Sequence, residues 1–118
     1  MATELGKELR KLRIDQNERL FDMSRKLNKS SAFISAVELG KKPVPAGFEE
    51  LVIRAYGLVG EMAKVIRRAA DRSRSAFSVK ADSPLARDTA GLMARRMNSL
   101  SDDDMKKIIS ILKKGESE

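Results

Sequence analysis

Hydrophobic residues recur every three or four positions along most of the chain, which is the spacing of one face of an α-helix. The first such stripe is formed by Leu5, Leu9 and Leu12, and basic residues lie off it. Thr3 precedes the stripe and is expected to cap the helix, because its hydroxyl can accept a free backbone N–H there. We predict that this helix ends near Asp15.

Two shorter apolar stripes follow, with a polar break at residues 28–30 between them. Met23 and Leu27 lie four residues apart, and Ile34 and Val37 lie three apart. Each pair therefore predicts the buried face of a short helix. Asn17 is expected to cap the earlier helix, whose buried face would also include Leu20, Ser24 and part of Phe21.

The polar break itself, Asn28-Lys29-Ser30, predicts a tight turn. Asn28 tolerates the left-handed conformation that ends a helix, and Ser30 can cap the next one. Two short helices joined in this way cross steeply, which is the geometry of a helix-turn-helix motif that offers its second helix to a DNA major groove. The same pattern also fits an ordinary pair of packed amphipathic helices, so by itself it leaves both interpretations open.

Two more helices are predicted after an exit that contains two prolines. Pro43 and Pro45 keep the chain from extending the preceding helix. The fourth helix would end at Gly57, and the fifth would run from about Val59 to Arg72. Their core-facing residues are expected to be Phe48, Leu51, Val52 and Ala55 in the fourth helix and Met62, Val65, Ile66 and Ala69 in the fifth.

Residues 73–83 interrupt the helical period. Phe77 and Val79 alternate with polar residues there, a pattern typical of a short extended segment. A single strand of this length is not stable alone. The segment is therefore either a linker or a strand that pairs with its counterpart in a second chain, and we favour the second interpretation slightly. It separates a predicted domain at 1–72 from a C-terminal region at 84–118.

Two further helices are predicted in the C-terminal region. Ser83 followed by Pro84 marks the start of one, and Ser101 followed by three aspartates marks the start of the other. Both carry more apolar surface than they can bury against each other, so the surplus must cover the first domain or a partner chain. We assign it to a dimer interface made of Phe77, Val79, Leu92, Met93, Met97, Met105, Ile108, Ile109 and Leu112.

The composition limits the chemistry that the chain can perform. Hydrophobic residues make up 42% of the 118 residues but aromatic residues only 4%, so the core must be aliphatic. There is no Cys and no His, which removes thiol nucleophiles, Cys/His zinc sites and the commonest general base. We therefore expect no enzyme activity, no metal and no cofactor. The lack of a signal-peptide core and of a membrane-length apolar run predicts a cytoplasmic protein.

Positive charge is concentrated in the first two-thirds of the chain. The formal net charge is +7, and residues 81–118 contribute seven basic and seven acidic side chains. The excess therefore lies in residues 1–80, which favours a polyanionic partner for that region. Ordinary surface charge for solubility would give a value of the same size.

The first half of the chain contains three informative segments in a fixed order. They are LGKELRKLR, LFDMSRKLNKSSAFISAVELGKKPVP and FEELVIRAYGL. At this spacing they resemble the Xre-type (phage-repressor-like) family of helix-turn-helix regulators. The resemblance implies an all-α fold with a five-helix repressor-like helix-turn-helix domain, to which we add the short extended segment and a two-helix C-terminal dimerisation region. It also implies a prokaryotic or phage source and double-stranded DNA as the partner.

The resemblance implies a recognition helix at Ser31–Leu39, whose inner face is Ile34 and Val37. Glu38 matches a buried acid of the family that pairs with an arginine of the first helix, here Arg13, and this ion pair would be structural. The expected DNA-binding residues are Arg19, Lys29, Ser30, Ser31, Ala32, Phe33, Ser35, Ala36, Lys41 and Lys42, with Arg25 and Lys26 as second-rank phosphate candidates.

The chain departs from the family at several positions. Ser24 stands where alanine is usual, Asn28 where glycine is usual, and Lys29 where an apolar residue is usual, which suggests a more basic turn. Leu20 stands where many relatives have glutamine, so the contact made by that glutamine is lost. The recognition helix also has no Arg, Asn or Gln, so we expect modest direct base readout and a larger role for groove shape and backbone contacts.

These features predict a sequence-specific DNA-binding transcriptional regulator, in the form of a homodimeric repressor on a palindromic operator. Two recognition helices about 34 Å apart would address half-sites one helical turn apart. The alternative is an antitoxin or anti-regulator of the same fold, whose C-terminal helices bind a toxin or another partner protein. No membrane partner is expected.

Overall fold

The computed structural model describes residues 1–116, and every element of regular secondary structure in them is a helix. The predicted all-α class is therefore confirmed for this part of the chain, and residues 117 and 118 of the predicted C-terminal region lie outside it. The helices are α1 (Glu4–Asp15), α2 (Leu20–Leu27), α3 (Ser31–Glu38), α4 (Phe48–Tyr56), α5 (Gly60–Arg72), α6 (Pro84–Arg96), a short 3-10 helix (Met97–Ser99) and α7 (Asp102–Leu112).

The chain divides into two compact units, an N-terminal unit of residues 1–78 and a C-terminal unit that begins at Val79. Ser73 and Arg74, which follow the boundary predicted after residue 72, are hydrogen-bonded within the N-terminal unit and shielded from much of the solvent. Residues 75–82 contain neither helix nor strand. Pairing of this segment with a second chain stays a prediction. None of the helices within residues 1–116 combines the length and the apolarity needed to cross a bilayer.

The core of the N-terminal unit is aliphatic, as the composition predicts. In this core α1 packs against α3 and α5, α2 packs against α3 and α4, and α4 packs against α5. Burial of these stripes is the main term that stabilises the unit. The buried side chains include the predicted Leu5, Leu9, Leu12, Met23, Leu27, Ile34, Val37, Phe48, Val52, Ile66 and Ala69, together with Val44, Ile53, Ala63 and Ala70.

Seven predicted core positions are wrong or only partly right. Phe21 is 62% exposed, because it lies two residues before Met23 and so projects away from the buried face of α2. Met62 is 45% exposed, since it lies in the first turn of α5 and the neighbouring Ala63 takes the buried place. Leu20 and Ser24 are half-buried, as are Leu51, Ala55 and Val65.

Most of the predicted helix ends are confirmed by their hydrogen bonds. Thr3, Ser30, Ser83 and Ser101 each accept a backbone N–H three residues ahead. Asn17 does not cap α2, because it adopts a left-handed conformation (φ 54°) in the preceding turn and Arg19 takes the capping position. Asn28 and Gly57 end their helices in the left-handed conformation, as predicted.

One close approach joins the start of α1 to the end of α3. The carbonyl of Glu38 accepts hydrogen bonds from the backbone N–H (2.9 Å) and the hydroxyl (3.2 Å) of Thr3. Gly6 lies against the same peptide, and a Cβ at Gly6 would overlap the carbonyl oxygen of Glu38 and lie 3.0 Å from its Cα. Only glycine lets the two helices come this close.

Replacement of Gly6 by alanine tests this approach. We expect Gly6→Ala to lower the free energy of unfolding by about 1–3 kcal/mol, because α1 must move away from α3. Urea unfolding followed by circular dichroism measures the loss. Gly91→Ala is the matched control, since a Cβ at Gly91 in α6 meets only the Arg95 guanidinium, at 3.5 Å, and alanine favours a helix interior. Unchanged stability of Gly6→Ala would contradict the close approach.

The C-terminal unit consists of α6, the 3-10 helix and α7, and among residues 79–116 no side chain is fully buried. Leu92, Ile109 and Leu112 are each about half or more exposed. The unit thus carries apolar surface that it does not bury itself, as the sequence predicts. Of the residues assigned to a dimer interface, Phe77, Val79 and Met97 are also exposed, whereas Met93, Met105 and Ile108 are half-buried.

Candidate nucleic-acid interface

Helix α3 has one buried face and one open face. Ile34, Val37 and Glu38 point into the N-terminal unit, as the resemblance implies. The open face carries only short side chains, so its backbone lies close to the surface. We call this set the α3 outer face: Ser31, Ala32, Ser35 and Ala36, of which Ala32 is exposed and the other three are half-exposed.

The buried face of α3 is fixed by an ion pair to α1. Arg13 donates from Nη1 to Glu38 Oε2 (2.5 Å) and from Nη2 to Glu38 Oε1 (3.2 Å), and the side chains are 11% and 5% exposed. The predicted pair is thus confirmed. Two parallel N–H···O bonds set the orientation of both groups as well as their distance. The pair therefore fixes how far α3 can rotate about its own axis.

An aromatic ring between two lysines borders the α3 outer face. The Nζ atoms of Lys29 and Lys42 lie 5.8 and 5.7 Å from the ring centroid of Phe33. Phe33, which the resemblance places at the groove or its walls, has a half-buried ring that meets Phe48 edge-on at 6.2 Å. Cation–π attraction of this kind holds both ammonium groups near the ring.

The turn after α3 brings Lys42 back toward Phe33. Gly40 takes the left-handed conformation (φ 74°), and the backbone N–H groups of Lys41 and Lys42 both donate to the carbonyl of Ala36, at 2.8 and 3.2 Å. This pattern reverses the chain at the end of the helix. Both lysine side chains are exposed. The α3–α4 loop, residues 39–47, thus starts beside the α3 outer face.

The turn before α3 is braced by a residue that departs from the family pattern. Ser24 donates its hydroxyl proton to the carbonyl of Lys29 at 2.5 Å, and the N–H of Lys29 donates to the carbonyl of Ser24 at 3.1 Å. Alanine at this position could not make the first bond. A serine five residues before a lysine in a turn is the only sequence signal of this contact, and it is a weak one.

Three other basic candidates lie on α2 or at its start. Arg19 is exposed, and its backbone N–H donates to Asp22. The guanidinium of Arg25 lies 5.9 Å from the Phe21 ring centroid. Lys26 is engaged within the fold, because it forms an ion pair with Glu18 and lies 4.5 Å above the ring of Tyr56.

The ion pair of Lys26 belongs to a cluster that ties α2 to α4. Tyr56 donates its hydroxyl proton to Glu18 at 2.7 Å. Burial raises the pKa of Glu18, but the hydrogen bonds from Lys26 and Tyr56 outweigh it and leave that pKa below its ordinary value. Burial and the bond to Glu18 raise the pKa of Tyr56. Lys26 thus has a structural contact within the fold, and its second-rank place among the phosphate candidates stays a prediction.

The α3 outer face and the lysines next to it combine hydroxyl, methyl and ammonium groups on one surface. Hydroxyl and methyl groups on the α3 outer face can contact base edges, and the lysines beside Phe33 can contact phosphates.

Among residues 1–116 no group of three or more acidic side chains is placed to hold a metal ion. The chain matches no protein-family model, and comparisons with curated proteins and with solved structures also gave no match.

Loss of Arg13 tests whether the ion pair holds α3. We expect Arg13→Ala to lower the free energy of unfolding by about 3–5 kcal/mol, because Glu38 would remain buried without a partner. Thermal and urea unfolding measure the change. Lys11→Ala on the same helix is the control, since its contact with Glu8 is at the surface and we expect little effect. Similar losses in the two variants would argue against a special role for Arg13.

Proposed function

We propose that the N-terminal unit is a helix-turn-helix domain of the Xre type and that the protein is a sequence-specific, double-stranded DNA-binding transcriptional regulator. In this proposal α2 and α3 form the motif, and the α3 outer face enters the major groove. The observation that carries the proposal is an exposed helix face of small side chains, flanked by lysines and fixed to the core by its opposite face.

The shape of α3 suits a major groove. A groove of B-DNA admits an α-helix, and short side chains let the helix lie deep enough for its backbone to come near the base pairs. Ser31 and Ser35 can donate to or accept from almost any base, and Ala32 can contact a thymine methyl group. Because these contacts discriminate weakly, groove width and DNA flexibility would supply much of the preference.

The lysines supply the contacts to the DNA backbone. Lys29 precedes α3, and Lys41 and Lys42 follow it, so cations stand at both ends of the helix that would lie in the groove. A major groove is bordered by a phosphate strand on each side. Phe33 keeps two of the three ammonium groups near one ring, which reduces the side-chain freedom that binding would otherwise remove.

The salt dependence of binding tests the lysines. We expect Lys41→Ala with Lys42→Ala to reduce the slope of log K against log[salt] by about 1.8, since each lost phosphate contact removes about 0.9. A site selected from DNA around the protein's own gene serves as the ligand. Lys106→Ala with Lys107→Ala in α7 removes the same charge and is expected to keep the slope. An unchanged slope in the first variant would remove these lysines from the interface.

We further propose that the protein acts as a homodimeric repressor. A single small domain buries too little surface for tight specific binding, and a two-fold dimer matches the two half-sites of a palindromic operator. The apolar side chains that α6 and α7 leave exposed, among them Leu92, Ile109 and Leu112, supply a self-complementary surface for this dimer.

A single charge on α7 tests the dimer. We expect Ile109→Asp to give monomers and to abolish operator binding, because a carboxylate would be buried in an apolar interface. Sedimentation equilibrium gives the mass, and a binding titration gives the affinity. Ser110→Asp adds the same charge at the neighbouring exposed position, about 100° round α7 from Ile109 and outside its apolar face, and is expected to leave both properties unchanged. Full operator affinity from an Ile109→Asp monomer would contradict the dimer proposal.

The second candidate is an antitoxin or anti-regulator of the same fold. The exposed apolar side chains of the C-terminal unit favour a partner surface of some kind, and a different protein could occupy it in place of a second copy. The two candidates predict different oligomeric states for the purified protein, which its mass in solution measures. A dimer favours the repressor, whereas a monomer with a gene for a small toxin or protease beside its own favours the antitoxin.

A further inference from the structure

Arg74 lies just after α5 and is one of the most heavily bonded side chains of the N-terminal unit. Its side chain is only 10% exposed. The guanidinium donates from Nε to the carbonyl of Val44 (3.2 Å) and from Nη2 to the carbonyl of Pro45 (2.6 Å). It also donates to both carboxylate oxygens of Glu49, at 2.9 and 2.6 Å. One side chain thus holds two carbonyls of the α3–α4 loop and the first turn of α4.

The α3–α4 loop needs such a support. Pro43 and Pro45 have no backbone N–H, and the middle of the loop therefore cannot form a regular hydrogen-bonded turn. Only Val44 of the loop is fully buried. The carbonyls that Arg74 binds lie two or three residues after Lys42, so the support lies close along the chain to the lysines beside the α3 outer face.

The positive charge of Arg74 also neutralises the carboxylate of Glu49 in the first turn of α4. Its hydrogen bonds hold the pKa of Glu49 below the ordinary value, although burial acts in the opposite direction. The carboxylate is therefore ionised and neutralised by its partner. Without the guanidinium, an uncompensated negative charge would lie at the end of the loop that carries the lysines, and it would weaken attraction to a polyanion.

We propose that Arg74 is a positioning residue for the DNA-binding surface: by clamping Val44, Pro45 and Glu49 it fixes the α3–α4 loop and the backbone that carries Lys41 and Lys42. This inference rests on the proposed function. Arg74 makes its contribution through the loop and without touching DNA. The segment after α5, which the sequence pattern predicts as either a linker or a strand that pairs with a second chain, therefore contains a residue on which the interface depends.

The chain offers a close control for this arrangement. Arg67 of α5 donates to both oxygens of Glu50 in α4, at 2.8 and 3.0 Å. This pair joins the same region of α4 to α5 with the same chemistry, but it is about half exposed and makes no described contact with a loop carbonyl. Arg67→Ala and Arg74→Ala change the net charge by the same amount. A difference between them therefore reports the clamp and not the charge.

Backbone amide hydrogen exchange and DNA binding together test the proposal. In Arg74→Ala we expect amides in residues 41–49 to exchange about tenfold faster, while amides of α1 and α3 keep their protection. Affinity for the selected DNA site should fall by about tenfold, comparable to the loss of one or two phosphate contacts. In Arg67→Ala we expect both properties to stay close to those of the wild type.

A second variant keeps the test decisive if Arg74→Ala unfolds the whole unit. Arg74→Lys keeps the charge but lacks the fork that reaches two carbonyls and a carboxylate together, so exchange should still rise in 41–49 alone. Unchanged loop exchange in both variants, or a uniform rise over all five helices in both, would overturn the proposal. If the wild type itself ignores DNA at low salt, the proposed function fails, while the exchange data still decide whether Arg74 fixes the loop.

Discussion

The attachment of α3 to α1 through Glu38 is the constraint on which the N-terminal unit depends. The side chain of Glu38 is buried and must have a cation, and Arg13 supplies it from the last turn of α1. The backbone carbonyl of the same residue binds Thr3 at the start of α1, and Gly6 leaves room for this approach. Because one residue is bonded near both ends of α1, α3 is fixed in position and in rotation.

The open face of α3 follows from this attachment. Once Ile34, Val37 and Glu38 point inward, the remaining positions of an eight-residue helix point outward, and most of them are small. Phe33 lies at the border, where one edge of its ring packs on Phe48 and the other side attracts Lys29 and Lys42. Phe33 thereby packs on the core and also helps to position the charges of Lys29 and Lys42 at the surface. The resemblance placed Phe33 only at the groove or its walls and predicted neither contact.

The two units differ in how they satisfy their apolar residues. The N-terminal unit encloses a buried aliphatic core among five helices, although Ile14, Phe21, Val59 and Met62 stay exposed. The C-terminal unit has two α-helices and a 3-10 helix, and leaves Leu92, Ile109 and Leu112 at its surface. Well-formed caps at Ser83 and Ser101 show that its helices are locally specified even though their apolar faces are not covered within the unit. A unit of this kind is suited to association, and this is the physical basis for the partner that we propose.

The sequence alone determined the features that depend on neighbours within about four residues. The helical periods, the serine and threonine caps and the left-handed Asn28 are of this type, because their hydrogen bonds close within one turn. The Arg13–Glu38 pair, 25 residues apart, was available only through the resemblance to a family. Tertiary structure alone decided the need for glycine at position 6, the contacts of Lys26 with Glu18 and Tyr56, and the clamp made by Arg74. Each of these three contacts joins residues that are between 8 and 32 positions apart in the sequence. A pattern within one helical turn does not specify which distant groups a packed core will bring together.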